Sequence, residues 1–92
     1  MATVAFARHL HRFFPSLEGK EIRVSAPTVA EAVREIEKRC PGFAFYIVDE
    51  RGALRTHVNI FIEEELILDR QALSDRLMPD SKLYIMQALS GG

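Results

Sequence analysis

The chain closes on Ala88-Leu89-Ser90-Gly91-Gly92, and the last pair carries more chemical potential than any other feature. Glycine makes up about 7% of average sequences, so a closing pair arises by chance about once in 200 chains. Chain ends are normally frayed, and small residues do no harm there. Here, however, the pair follows an apolar strand pattern with only Leu89 and Ser90 between. Four or five extended residues reach about 13–17 Å beyond a folded body. A tip without Cβ atoms can thread a narrow cleft and present its carboxylate to another protein's active site. The other candidates are weaker. His9 and His11 stand two apart, as zinc ligands can, but a structural zinc site wants four ligands. The remaining supply is His57 and Cys40, and Cys40 falls on an apolar helical stripe, where it reads as a small buried hydrophobe. Glu63, Glu64 and Glu65 are adjacent on a tight turn, so their side chains diverge and read as a solvated connection. No P-loop, dinucleotide fingerprint or nucleophile elbow is present.

The elements that must position this terminus are partly legible. Residues 3–7 alternate weakly, with Val4 and Phe6 on one face, and residues 21–26 repeat the pattern with Ile22 and Val24 inward. Pro15 and Gly19 lie between them, which predicts a hairpin, with Phe13, Phe14 and Leu17 folding over the core edge. Thr28 and Glu31 have capping-box spacing, so a helix starts there. Val29, Val33, Ile36 and Cys40 form its buried stripe, Glu31, Arg34, Glu35 and Lys38 its wet side, and Pro41-Gly42 its stop. Residues 43–48 read either as a short strand or as an irregular buried segment. Residues 49–52 read as a polar turn, and residues 54–62 as a strand with Val58, Ile60 and Ile62 on one face and His57, Asn59 and Phe61 on the other. Residues 66–68 are expected to pair back as an edge strand. Residues 69–77 are expected to form a short helical turn that supplies Leu73 and Leu77 to the core. Residues 82–88 complete the set as a strand, with Leu83 and Ile85 alternating against Tyr84 and Met86.

This order predicts an α+β fold, one mixed sheet laid across one main helix. Placing the first and last strands side by side at the centre makes it a β-grasp. The 92 residues make one domain, residues 1–88, followed by a flexible tail at 89–92. A chain this small has little room for a deep internal active site. Twelve Lys+Arg against 13 Asp+Glu lack the basic footprint of a nucleic-acid binder. One cysteine excludes an intrachain disulfide, and the longest apolar run, six residues, is far below the ~18 needed to cross a bilayer. Arg8, His9, His11 and Arg12 interrupt the first apolar stretch, unlike a secretory signal. The expectation is a cytoplasmic domain that binds neither nucleic acid nor membrane.

Val58-Asn59-Ile60-Phe61-Ile62 with its acidic turn, Pro41-Gly42 after the helix, the strand from Asp80-Ser81-Lys82-Leu83-Tyr84-Ile85, and the closing Gly91-Gly92 stand in a telling order. Together they resemble the MoaD/ThiS-type small sulfur carriers of the ubiquitin-like β-grasp superfamily, over essentially the whole chain. The resemblance implies that a ubiquitin-activating-type enzyme adenylates the Gly92 carboxylate with ATP and Mg. The acyl adenylate then becomes a thiocarboxylate that serves a biosynthetic pathway. The implied partners are that enzyme, a sulfur donor and a downstream sulfur-accepting synthase; the chain itself binds no cofactor or metal and is no enzyme. Glu63-Glu64-Glu65 and Met86-Gln87 depart from the family's usual turn and its frequent proline, which leaves the pathway open, whether molybdopterin, thiamine, cysteine or another. A ubiquitin-like modifier joined to lysine through Gly92, or a plain β-grasp interaction domain, are the alternatives. Phe61, Tyr84 and Met86 lie opposite the core sets, so on neighbouring strands they would form an exposed patch for the partner, continued by Leu89 and Ser90. Arg55, His57 and Asn59 are expected at its polar rim.

Overall fold

The computed structural model describes residues 1–7, 14 and 21–87. Five strands, β1 (Ala2–Phe6), β2 (Ile22–Val24), β3 (Val58–Ile62), β4 (Glu65–Leu66) and β5 (Lys82–Gln87), form one sheet in the order β2-β1-β5-β3-β4. The outer pairs are antiparallel, whereas β1 and β5 run parallel at the centre, with Val4 opposite Leu83 and Phe6 opposite Ile85. One face of the sheet, Val4, Phe6, Val24, Val58, Ile60, Leu83 and Ile85, is buried against helix α1 (Val29–Arg39) and the short helix α2 (Phe43–Ile47). The mixed sheet is the one that the pattern predicts, and with β1 and β5 side by side at its centre it is a β-grasp.

Helix α1 forms where capping, stripe and stop agree. Thr28 is extended (φ −138°), and its hydroxyl accepts from the Glu31 N–H at 3.3 Å. Val29, Ala32, Val33 and Ile36 are buried, and Cys40, buried too, ends the helix with its N–H on the Ile36 carbonyl. Two further N-terminal donors are satisfied from a distant loop: Val29 N–H donates to the Asp75 carbonyl and Ala30 N–H to the Leu73 carbonyl.

That loop corrects the expectation of a helical turn at residues 69–77. Leu73 and Leu77 do enter the core, but the segment is a folded loop. The Asp69 carboxylate accepts the N–H groups of Gln71, Ala72 and Ser74 as well as the Ser74 hydroxyl. Leu73 is left-handed (φ 55°), which turns its carbonyl toward Ala30. Backbone groups spent in this way are no longer available for a helical ladder.

The second helical element lies instead at residues 43–47, neither strand nor irregular. Gly42 turns the chain at φ +97°, a conformation that suits glycine. The Glu37 carboxylate then accepts the N–H groups of Gly42 (3.0 and 3.1 Å) and Ala44 (2.9 Å), satisfying donors at the start of α2. Phe43 and Ile47, four apart, are fully buried. Phe43 meets Phe6 and Phe14 edge-on, each with ring centroids 5.5 Å apart. Phe14 thus covers the core edge as expected, whereas Phe13 and Leu17 lie outside the described residues.

Strand β3 is shorter than the expected span of residues 54–62. Leu54 pairs only with Val48 and donates its N–H to the Arg70 carbonyl, and Val58 N–H donates back to the Arg55 carbonyl, which closes a turn before the strand. Strand β4 covers Glu65–Leu66 rather than 66–68, after a turn in which Glu63 is left-handed (φ 58°).

Candidate functional site

Strand β5 carries the chain toward its terminus, and Gln87 is the last described residue before it. Leu89, Ser90, Gly91 and Gly92 lie outside the described residues, as do His9 and His11. The root of the tail is therefore what the structure defines. Gln87 is opposite Val58 on β3, and its side-chain carbonyl accepts from the Tyr46 hydroxyl on α2. Sheet and helix both hold the point from which the last five residues depart.

The three expected contact residues come together on the solvent face of the sheet. Phe61 and Tyr84 are direct cross-strand neighbours, and Met86 lies opposite Asn59 one rung nearer the tail. Residues facing each other across a ladder share a face. Tyr84 is 40% exposed, and Phe61 and Met86 are half-buried. The row continues on both sides, with Ala5 opposite Tyr84 and Leu66 opposite Phe61. Phe43 does not cover it, because that ring packs on Phe6 in the core.

Two apolar residues beside the row escape sequence reasoning. Leu66 is 52% exposed and Leu68 is 92% exposed, and together they line an open groove with Ile62, the three glutamates at 63, 64 and 65, and Asp75. Leu66-Ile67-Leu68 is apolar throughout, so alternation gives no signal, and folding buries only the middle residue. An edge strand with one inward side chain leaves its two neighbours in water.

The polar rim is only partly as expected. Asn59 accepts from Arg70 Nη1 at 3.2 Å, while Arg70 Nη2 donates to the Arg55 and Val58 carbonyls, each at 2.8 Å. Arg70 thereby staples the start of β3, a role no local pattern announces. Arg55 turns the other way: Nε and Nη2 donate to the Phe45 carbonyl at 3.1 and 2.9 Å, and the guanidinium lies 5.2 Å from the centre of the Phe45 ring. His57 is half-buried.

Backbone donors dominate the local electrostatics. The Ala44 and Gly42 N–H groups hold the Glu37 carboxyl below its ordinary range. The Ser74 hydroxyl, with the N–H of Ala72 next, pulls Asp69 down to about 2. Both carboxylates are structural and distant in role from the tail. Among the described residues no cluster of three or more His, Cys, Asp or Glu could hold a metal, and no helix is long and apolar enough to cross a membrane.

No protein-family model and no curated protein sequence matches the chain. Solved structures match it closely in shape. CysO in the BexX/CysO complex of Amycolatopsis orientalis superposes with a TM-score of 0.84 at 23% identity, over 100% of both chains. CysO of Mycobacterium tuberculosis gives 0.82 at 21% identity, over 97% of this chain and 100% of that one. SAMP1 of Haloferax volcanii gives 0.78 at 19% identity, over 99% and 98%. At such identities the likeness is one of fold, and the fold is the ubiquitin-like β-grasp.

Proposed function

We propose that this chain is a sulfur carrier of the MoaD/ThiS type, acting through Gly92 as a co-substrate rather than as an enzyme. The observation that carries the reading is the apolar row Ala5, Tyr84, Phe61 and Leu66, with Met86 beside it, which crosses four neighbouring strands and is centred on β5, the strand that leads into a Gly-Gly terminus. Such a face is suited to a protein contact, and CysO of the same fold occurs in a complex with BexX.

The chemistry follows from the terminus. A carboxylate is a poor acyl donor. In the partner enzyme, a Gly92 carboxylate oxygen attacks the α-phosphorus of ATP, and pyrophosphate departs with the electron pair of the broken P–O bond. A sulfide-level donor then attacks the acyl carbon, and AMP leaves with the electrons of the C–O bond. The product, a terminal C(=O)S⁻, is a protected nucleophile that a synthase can spend on a metabolite. ATP, Mg and the acid–base groups belong to the partner, while this chain supplies the reacting carboxylate, Gly91 beside it, and the docking residues Phe61, Tyr84, Met86, Leu89 and Ser90. The setting is the cytoplasm.

The test is intact-mass analysis after incubation with ATP, a ubiquitin-activating-type enzyme and a sulfur donor. An oxygen-for-sulfur exchange at the last residue is expected, and it vanishes when Gly92 is deleted; no exchange in the intact chain overturns the reading. Removing Gly91 and Gly92 should leave thermal unfolding nearly unchanged, since few contacts are expected of such a tail. A second reading, as a modifier, draws on the likeness to the small archaeal modifier protein 1 of Haloferax volcanii. Stable lysine adducts in the same incubation, in place of the sulfur exchange, would favour it.

A further inference from the structure

We infer that Phe45 and Arg55 form a second docking point, on the helix side of the tail root, for the enzyme that activates Gly92. The inference rests on the carrier reading above and adds a contact on a different side of the molecule. Five residues follow Gln87, and fully extended they span at most about 17 Å. A catalytic cleft that holds Gly92 must therefore lie within that distance of Gln87, and the surfaces nearest its mouth are those around Gln87. On one side that is the sheet face at Met86. On the other it is α2, because the Tyr46 hydroxyl bonds the Gln87 side chain and Phe45 is the neighbouring residue on the same turn.

Phe45 is built as an anchor. It is 69% exposed, although the helix that carries it is pinned from both directions. Phe43 and Ile47 are buried on either side of it, and Glu37 holds the N–H groups of Gly42 and Ala44. The ring cannot swing inward, since the interior places are occupied. Arg55 fixes the outward pose by two hydrogen bonds, from Nε and Nη2 to the Phe45 carbonyl, and by its guanidinium over the ring. A rigid aromatic loses little freedom on binding, and aromatic and arginine side chains are enriched among residues that dominate interfaces. The Asp49 carboxylate is close enough to feel the Arg55 charge, so the guanidinium already has an acidic neighbour and its part is to hold the ring. The occupant is the mouth of the activating enzyme's tail channel, with an apolar recess for the Phe45 ring.

The experiment measures ATP–pyrophosphate exchange by the ubiquitin-activating-type enzyme of the same organism as the full-length chain is titrated. Phe45→Ala should raise the half-saturating concentration about tenfold or more, leaving turnover at saturation unchanged. Phe45→Tyr, which keeps the ring, should restore it. Thermal unfolding of both variants should match the wild type, because the side chain is exposed. An unchanged half-saturating concentration for Phe45→Ala, with the wild type active, overturns the second docking point and leaves the carrier reading standing. A fall in saturated turnover alone also overturns it, because a docking contact acts on association. Absence of exchange with the wild-type chain overturns the carrier reading and this inference with it.

Discussion

Phe43 and Phe45 share one helical turn, yet the first is fully buried and the second is 69% exposed. Burial of Phe43 completes a cluster with Phe6 and Phe14, so truncation leaves a void bounded by rings that cannot all collapse into it. Phe43→Ala should cost about 3–5 kcal/mol in a urea titration, a large share of the stability of a small domain. Asp69 makes a different prediction. Its carboxyl titrates near 2 in the folded chain against an ordinary value of 3.8, because the Ser74 hydroxyl and the neighbouring N–H groups favour the charged form. The folded state therefore holds that proton more weakly than the unfolded one. The stabilisation is fully present above an ordinary carboxylate's pKa of about 4 and is lost as the pH falls toward 2. Asp69→Asn should flatten the pH dependence of the melting temperature in that window, and an unaltered profile would refute the assignment.

The elements differ in how openly they announce themselves. Helix α1 was legible because its cap, its stripe and its stop all lie within 15 residues of sequence. The five strands were legible in facing, with only their ends moved, whereas residues 43–48 stood as a possible sixth. Helix α2 was not, for two reasons. Five residues cannot display a helical period, and the group that starts it, the Glu37 carboxylate, sits on the preceding helix. The loop at residues 69–77 failed similarly, since its carbonyls are claimed by Val29 and Ala30, some 40 positions away in the chain. One glycine carries the junction between the two helices. Gly42→Ala should lower stability by about 1–2 kcal/mol through the left-handed backbone alone. The new Cβ would lie 4.0 Å from Phe14 Cε1, an ordinary contact, so no steric clash adds to it. A thermal melt indistinguishable from wild type would mean that the turn relaxes freely.

At the scale of the whole molecule, the sheet has one buried and one open face, and the open face holds the candidate contact. Phe61, Tyr84 and Met86 could be placed there from alternation alone once β3 and β5 were taken as neighbours. Leu66 and Leu68 could not, because Leu66-Ile67-Leu68 is apolar throughout, and only folding decides that Ile67 turns inward and its two neighbours stay in water. Phe61→Asp should leave the melt cooperative and weaken binding to the activating enzyme about tenfold or more, measured by calorimetric titration. Unchanged affinity would move the contact elsewhere. The arrangement of β1 and β5 has a mechanical consequence. They run parallel, so the start of one and the end of the other lie at opposite ends of the pair. Whatever grips the chain past Gln87 and draws on it loads that ladder, and the one to β3, along the strand axis. Tension is then shared across many rungs at once, and the body resists a tug that would unzip a hairpin pulled from its open end.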